Sequence, residues 1–162
     1  MEQDLIRQMG YSTLATRLKR ISDKMTHSTR LMYKQLDIDI EPNWHLVLVL
    51  VKQKPKVSVL EIADQLGFTH QSVITMTNKM IQKNYLESCK DSTDKRKTVF
   101  TLTVKAEKRL PEISAVWKVG QEAILELLNK DISIIDHLDV LESNLTEASF
   151  GERIIKKINA KK

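Results

Sequence analysis

The helix boundary signals between Ser58 and Asn84 constrain the fold of this 162-residue chain more than any other feature. Ser58 and Glu61 have the spacing of a capping box, in which each side chain binds a backbone amide at a helix start. Gly67 suits the left-handed residue that ends a helix, Thr69 is a typical N-cap residue, and Asn84 tolerates a left-handed helix exit. The sequence therefore predicts two helices joined by a tight turn, the second over 69–83, which is the helix-turn-helix arrangement. We expect Leu60, Ala63 and Leu66 to form the inward face of the first helix.

A β-hairpin is predicted directly after the second helix. Segments 85–90 and 97–102 flank the polar loop 91–96, and the second segment is rich in Thr, Val and Phe, which favour strands. Thr103 is suited to cap a following helix, which we expect Pro111 to bend or interrupt. A helix-turn-helix followed by such a hairpin is a winged helix.

Long apolar helices are predicted on both sides of the winged helix. Apolar positions at steps of three and four predict one helix before it and two after it. Pro42 favours a buried helix over 44–51, although the valines there would also suit a strand. The apolar stripe of the first long helix consists of Tyr11, Leu14, Leu18, Ile21, Met25, Ser28 and Met32.

These outer helices are too long and too apolar for one small winged domain to cover, so two copies are expected to pack them together. The predicted fold class is mainly α (α+β): a winged helix-turn-helix with a two-stranded wing, flanked by long N- and C-terminal dimerisation helices. The predicted domains are an N-terminal dimerisation helix over 1–40, a winged helix-turn-helix DNA-binding domain over 41–102, and C-terminal dimerisation helices over 103–162.

The net charge of +5 is concentrated in the middle of the chain. Between Lys52 and Arg109 there are twelve Lys/Arg and six Asp/Glu, whereas the two flanks together hold fourteen basic and fifteen acidic residues. A basic segment between near-neutral helices indicates a nucleic-acid-binding module, although charge alone fits a solvated basic face equally well.

The second helix of the pair carries side chains suited to DNA. Its outward face is rich in amides and hydroxyls, and no acidic residue occurs over 69–83, where a carboxylate would repel a phosphate. We expect Gln71, Ser72 and Thr75 to read bases, His70 and Lys79 to assist at phosphates, and Arg96 to enter the minor groove with Asp94 orienting its guanidinium. The alternatives are an ordinary solvated helix face and an ordinary solvated turn. The candidate DNA-binding residues are Ser58, Thr69, His70, Gln71, Ser72, Thr75, Lys79, Asp94, Lys95 and Arg96.

Enzymatic chemistry is not predicted. The four histidines lie in four different predicted elements, and the sequence contains neither a glycine-rich phosphate loop nor a serine nucleophile elbow. We therefore expect no catalytic residues, no cofactor and no metal site. Cys89, the single cysteine, is either a small packing residue or a redox thiol. The longest apolar run, Leu46–Val51, is far shorter than the ~20 residues that span a bilayer, so we expect no membrane partner and a cytoplasmic protein.

The stretch over 42–106 resembles the MarR family of bacterial transcription regulators. The resemblance rests on segment 58–67, the 69–83 helix, Tyr85-Leu86-Glu87, the wing motif Asp94-Lys95-Arg96, and Leu102-Thr103 at the next helix. It implies a homodimer whose first and last two helices interlock, and in which each protomer presents a recognition helix and a wing to a pseudo-palindromic operator. It also implies release of DNA when a small, often aromatic, effector enters a cleft. A ligand-responsive repressor is the function that this resemblance implies.

Two other functions remain open from the sequence. Departures from the family pattern at Ile74, Thr75 and Ser88 favour a winged-helix protein-interaction module or antirepressor without specific DNA binding. A small-molecule binder without DNA activity is the third possibility. Trp44, Met25, Met32 and Trp117 are candidates to line a ligand cleft, although residues at helical spacing are more often part of a core.

Overall fold

The computed structural model describes residues 4–161, which form two compact units, one extending to Ile113 and the other beginning at Ser114. Residues 1–3 and 162, which the predicted domain boundaries include, lie outside the described residues. The first unit contains the helices α1 Leu5–Gln8, α2 Leu14–Gln35, α3 Trp44–Gln53, α4 Val59–Leu66 and α5 His70–Gln82, and the strands β1 Val57–Ser58, β2 Leu86–Lys90 and β3 Thr98–Leu102. Helix α6, Val104–Leu127, begins in this unit, and the second unit adds α7 Ser133–Glu147 and α8 Phe150–Asn159. The predicted fold class, a mainly α winged helix, is confirmed.

The local boundary signals of the helix-turn-helix act as the sequence indicates. The Ser58 hydroxyl accepts from the Glu61 amide at 3.3 Å, and Glu61 Oε2 accepts from the Ser58 amide at 2.9 Å, which starts α4. Gly67 ends α4 with φ +64°, Thr69 caps α5, and Asn84 has φ +60°. Together these residues fix a short, sharply bounded connection between α4 and α5.

The wing belongs to a three-stranded antiparallel sheet. Strands β2 and β3 pair from Leu86↔Leu102 to Lys90↔Thr98, as the hairpin prediction requires. The two residues of β1 pair with the other edge of β3, with Val57 opposite Phe100, so the strand order is β1-β3-β2. The sequence did not predict β1, because a two-residue strand is too short to show alternation.

The core of the first unit lies behind α5 and the sheet. Helix α3 supplies five buried residues and is a helix rather than the alternative strand. In α4, Ile62 and Ala63 are buried, whereas Leu60 is 59% exposed. The prediction that Leu60 faces inward is therefore wrong, because residues two apart on a helix point about 200° apart and Ile62 takes the inward direction.

Two predictions about the long helices are also wrong in part. The first apolar stripe does not form one helix, because Tyr11 lies in a short 3-10 helix, Gly10–Thr13, where it is 94% exposed. Helix α6 continues through Pro111, so the helix is not interrupted there. Pro111 is exposed, so its ring lies on the solvent side. Beyond α6 the chain forms two helices, because Ser149 and Glu152 make a second capping box that starts α8.

The second unit lacks a core of its own. From Ser114 to the last described residue no side chain is buried. Its exposed large hydrophobic residues are Val119, Ile124, Leu125, Leu127, Ile132, Ile134, Ile135, Val140, Leu145, Phe150, Ile154, Ile155 and Ile158. Large contiguous apolar surfaces are unusual on monomeric proteins. No helix within 4–161 is both long and apolar enough to cross a membrane.

Candidate nucleic-acid interface

Helix α5 has sharply different inward and outward faces. Val73, Met76, Thr77 and Met80 are buried, and the Thr77 hydroxyl donates to the Val73 carbonyl at 2.9 Å, which satisfies its polar group. The outward face consists of exposed amide, hydroxyl and amino side chains, namely Gln71, Thr75, Asn78, Lys79 and Gln82. This face therefore offers hydrogen-bond donors and acceptors without any carboxylate.

The amino end of α5 is closed by its own hydroxyl groups. Thr69 Oγ1 accepts from the Ser72 amide at 3.2 Å and lies 2.8 Å from Ser72 Oγ, while the Thr75 hydroxyl donates to the Gln71 carbonyl at 3.0 Å. His70, the first residue of the helix, is exposed. The first-turn amides and the helix dipole make this end favourable for an anion.

Part of the candidate face also lines a cleft. Gln71, Ser72, Thr75 and Lys79 form one wall of a space of about 460 Å³, opposite residues that include Arg30. A second cleft, of about 640 Å³, extends along Lys79, Gln82 and Lys83 to the end of α2 and the loop after it. Its lining is Arg30, Tyr33, Lys34, Asp37, Ile38, Asp39, Ile40, Glu41, Trp44, Lys79, Gln82 and Lys83. Lys79 thus lies at the edge of both clefts as well as on the exposed helix face.

The wing tip is ordered by one carboxylate. Asp91 Oδ1 accepts from the amides of Thr93 and Asp94, each at 2.8 Å, and from the Thr93 hydroxyl. The bond from the Thr93 hydroxyl, with those from the two amides, lowers the pKa of Asp91 to about 2. The Lys97 amide donates to the Asp94 carbonyl at 2.9 Å, which closes the turn.

The predicted wing residues lie together at this tip. Asp94 Oδ1 accepts from the Arg96 amide at 3.1 Å and from Arg96 Nε at 3.4 Å, while the Arg96 side chain is 95% exposed. Lys95 is exposed beside it. The guanidinium is thus held at one atom and otherwise projects into solvent.

Ser58 differs from the other candidates because it is buried. Its amide and its hydroxyl both donate to Glu61 Oε2, at 2.9 and 2.7 Å, and Lys54 Nζ lies 2.6 Å from Glu61 Oε1. The hydrogen bonds from Lys54 and Ser58 lower the pKa of Glu61 to about 2. The Ser58 hydroxyl is therefore engaged within the protein. Ser58 contributes to the candidate interface by fixing the start of α4.

The structure also brings together polar residues that the sequence analysis missed. The Tyr85 hydroxyl donates to Asp39 Oδ1, and Lys105 Nζ donates to Asp39 Oδ2 at 2.7 Å. Partial burial raises the pKa of Asp39, but the bonds from Lys105 and Tyr85 outweigh it and leave the pKa below its ordinary value. Burial and the Asp39 carboxylate raise the pKa of the Tyr85 phenol. No local signal could reveal this group, because its members are 46 and 66 residues apart in sequence from Asp39.

Cys89 is exposed on β2, so it does not act as a buried packing residue. Among residues 4–161, no group of three or more His, Cys, Asp and Glu side chains has the arrangement of a metal site.

Residues 38–97 match the family model for the MarR family. The matched range contains α3 to α5, the strands β1 and β2, and the wing loop as far as Lys97, but not β3. It includes all of the motifs on which the sequence resemblance rests except Leu102-Thr103. The resemblance of this region to the MarR family is confirmed. MarR-family transcriptional regulators are non-enzymatic DNA-binding proteins, in line with the prediction that the chain is not an enzyme. None of the curated proteins matches the chain.

Solved structures share the fold at low sequence identity. The transcriptional regulator SlyA is 18% identical with a TM-score of 0.66, over 90% of this chain and 96% of that one. The MepR–DNA complex of S. aureus is 17% identical with a TM-score of 0.67, over 83% and 96% of the two chains. The transcriptional repressor CouR, bound to a 23-mer DNA duplex, is 20% identical with a TM-score of 0.65, over 91% and 97%.

Proposed function

We propose that this chain, whose winged helix is of the MarR family, is a dimeric, sequence-specific DNA-binding transcription regulator that acts as a ligand-responsive repressor. The observation that carries the proposal is the acid-free outward face of α5 together with an exposed wing tip that carries Lys95 and Arg96. MepR and CouR, which share the fold, are bound to DNA in their structures.

Helix α5 is proposed to lie in the major groove. Gln71, Ser72 and Thr75 would contact base edges, because amide and hydroxyl groups pair with the donors and acceptors displayed there. His70 and Lys79 would contact phosphates, and Thr69 and Ser58 would place the amino ends of α5 and α4 near the backbone. The Thr75 hydroxyl already donates to the Gln71 carbonyl, so its remaining capacity is as an acceptor. Thr69 and Ser72 share one hydroxyl proton between them, so one of the two hydroxyls can still donate to DNA.

The wing is proposed to reach the minor groove. Arg96 is the extended cation at the tip, Lys95 adds charge beside it, and Asp94 orients the guanidinium through the 3.4 Å contact. Narrow A·T-rich minor grooves attract such an arginine.

The dimer is proposed from the apolar surface that the single chain leaves exposed. Every hydrophobic side chain of the second unit is at least partly accessible, and Leu14, Ile21 and Met25 are exposed along α2. A specific interface buries about 1,600 Å² in total, and a second copy supplies a matching apolar surface by symmetry. The predicted assignment of 1–40 and 103–162 to dimerisation and of 41–102 to DNA binding is part of this proposal.

The dimer geometry has its own test. Two recognition helices that read successive major grooves lie ~34 Å apart, so the operator should be a pseudo-palindrome. Sedimentation at micromolar concentration should give a dimer, and a monomer there would contradict this arrangement.

The ligand response is supported by the clefts beside α5. A molecule in the cleft of about 640 Å³ would contact Lys79, Gln82 and Lys83 of the helix region as well as the loop after α2. A small aromatic effector is the ligand that the sequence resemblance implies. Tyr33 and Trp44, each 3% exposed, are the aromatic residues of the lining. Of the four residues that the sequence suggested for a cleft, Trp44 is in this lining.

DNA binding is tested by titrating a labelled duplex from the region upstream of the coding sequence at two salt concentrations. The proposal predicts tight binding that weakens steeply with salt, because bound phosphates release counterions. Binding to this duplex should exceed binding to a scrambled duplex of the same length. A DNA-binding regulator is expected in the cytoplasm.

The alternative, a protein-interaction module or antirepressor, is favoured by the outward face of α5 having no arginine. Thr75 and Ser88 occupy positions where arginine is frequent in the family that the sequence resembles. Under this alternative the protein binds neither the upstream duplex nor the scrambled duplex, even at low salt. A ligand binder without DNA activity would show thermal stabilisation by an effector and no binding to either duplex.

A further inference from the structure

We propose that Asp39 is a positioning residue for DNA recognition and that Tyr85 and Lys105 hold it in place. These three residues are called the clasp below. The inference rests on the proposed DNA-binding function and deepens it, because it assigns the residues that hold α5 and the wing in the orientation that DNA requires.

The clasp joins three separate segments of the first unit. Asp39 lies in the loop between α2 and α3, Tyr85 lies between α5 and β2, and Lys105 lies in the first turn of α6. The Asp39 carboxylate accepts from Tyr85 at one oxygen and from Lys105 at the other. Lys105 Nζ also donates to the Lys83 carbonyl at 2.9 Å and lies 4.3 Å from the centre of the Tyr85 ring.

Tyr85 connects the clasp to the DNA-reading elements. It is fully buried, and its amide donates to the Met80 carbonyl of α5 at 2.9 Å. Its carbonyl accepts from the Thr103 amide, directly after β3, at 3.2 Å. A movement of Tyr85 would therefore be passed to the end of α5, to the start of β2 and to the residue after β3.

The loop that carries Asp39 is fixed at both sides of the clasp. Arg109 Nη2 donates to the Asp37 carbonyl at 2.6 Å, and Arg30 Nε donates to Glu41 Oε2 at 2.8 Å. Asp39 thus extends from a held loop rather than from a free one. Because Asp37, Asp39 and Glu41 also line the larger cleft, the same loop faces the proposed effector.

Charge and geometry make opposite predictions for Asp39. A carboxylate in a DNA-binding lobe repels phosphates, so on charge alone its removal should strengthen binding. If the clasp positions α5 and the wing, its removal should instead weaken binding to the operator. The sign of the effect therefore separates the two roles.

The experiment compares Asp39→Asn with Asp23→Asn in the 162-residue chain. Asp23 is exposed on α2 and pairs with Lys19 at 3.0 Å, so its replacement removes the same charge without touching the clasp. Affinity is measured by fluorescence anisotropy for an operator duplex and for a scrambled duplex. We expect Asp39→Asn to weaken operator binding ~10-fold, on the scale of one hydrogen bond to a charged group. Its binding to the scrambled duplex should be no weaker than that of the wild type. Asp23→Asn should bind both duplexes at least as tightly as the wild type.

Tyr85→Phe provides a second, uncharged test. It removes one hydroxyl and should lower the ratio of operator to scrambled affinity in the same direction. Lys105→Arg retains the charge and should retain most of that ratio. Circular dichroism and thermal unfolding check that each variant is folded.

Two outcomes would overturn the proposal. If folded Asp39→Asn binds the operator as tightly as Asp23→Asn, the clasp does not position the DNA-reading elements. If unfolding temperatures fall while the ratio of affinities stays at the wild-type value, the clasp is only a structural support. Failure of the wild-type protein to bind either duplex would instead refute the proposed function, and the clasp would lose its role with it.

Discussion

Replacing Arg96 by alanine separates DNA recognition from folding stability at the wing tip. The Arg96 side chain is 95% exposed, and the 3.4 Å contact with Asp94 is its one recorded side-chain bond within residues 4–161. An exposed ion pair contributes about 0.2–1 kcal/mol, and this one is long. The free energy of unfolding should therefore change by less than about 0.5 kcal/mol.

The effect on DNA binding should be larger. If Arg96 enters the minor groove, its loss should weaken operator binding by about 1–3 kcal/mol, which is a factor of about 5 to 150 in dissociation constant. The ordered turn around Asp91 should persist, because its bonds come from Thr93 and Asp94 and not from Arg96. The substitution therefore tests the side chain rather than the shape of the wing.

Fluorescence anisotropy with an operator duplex and urea denaturation measure the two quantities on one preparation. Arg7→Ala is the matched control, because Arg7 is an exposed arginine of α1 and its loss removes the same charge far from the wing in sequence. Arg7→Ala should leave operator affinity within about twofold of the wild type. An Arg96→Ala protein with wild-type operator affinity would show that the wing assignment is wrong.

Three further predictions concern α5, the turn before it and the cap of α4. Lys79→Ala should lower the slope of log affinity against log salt by about one unit without changing sequence preference; an altered preference in a selection experiment would mean that Lys79 reads bases. Gly67→Ala should lower the free energy of unfolding by about 1–2 kcal/mol, because a residue with a Cβ is strained at φ +64°. No atom lies within 4 Å of the added Cβ, so a steric clash would not contribute. Unchanged urea denaturation would contradict this backbone strain. Because the pKa of Glu61 falls from 4.5 to about 2 on folding, its stabilising effect is complete above pH 4.5 and is lost as the pH falls towards 2. Urea denaturation of Glu61→Gln should therefore differ from the wild type at neutral pH and converge with it in acid, and a constant difference would refute the link to Glu61 ionisation.

Local signals predicted the helix-turn-helix because both partners of each signal lie within a few residues. Ser58 and Glu61 are one helical turn apart, and Gly67 and Asn84 act through their own backbone conformations. Strand β1 depends on Phe100, more than forty residues later, and a pair of residues carries no period. Features whose partners are close in sequence could be predicted, whereas a pairing between residues distant in sequence could not.

The candidate interface shows the same division. The exposed amides and hydroxyls of α5 follow from helix periodicity once its buried face is known, and the pairing of Asp94 with Arg96 follows from their spacing. Helix periodicity does not predict that this face shares a cleft with Arg30, since that depends on how α2 packs in the first unit. The residues concerned are Gln71, Ser72, Thr75 and Lys79. The clasp likewise required the fold, since Tyr85 and Lys105 are 46 and 66 residues from Asp39 in sequence.

Selection of bound sequences from a random DNA pool tests the central claim most directly. The protein should enrich a pseudo-palindrome whose half-sites have centres about 10 base pairs apart, because two α5 helices of a dimer would read successive major grooves. A/T-rich steps should flank the half-sites where Arg96 reaches the minor groove. A pool that remains random after repeated rounds at low salt would contradict sequence-specific DNA binding by this protein.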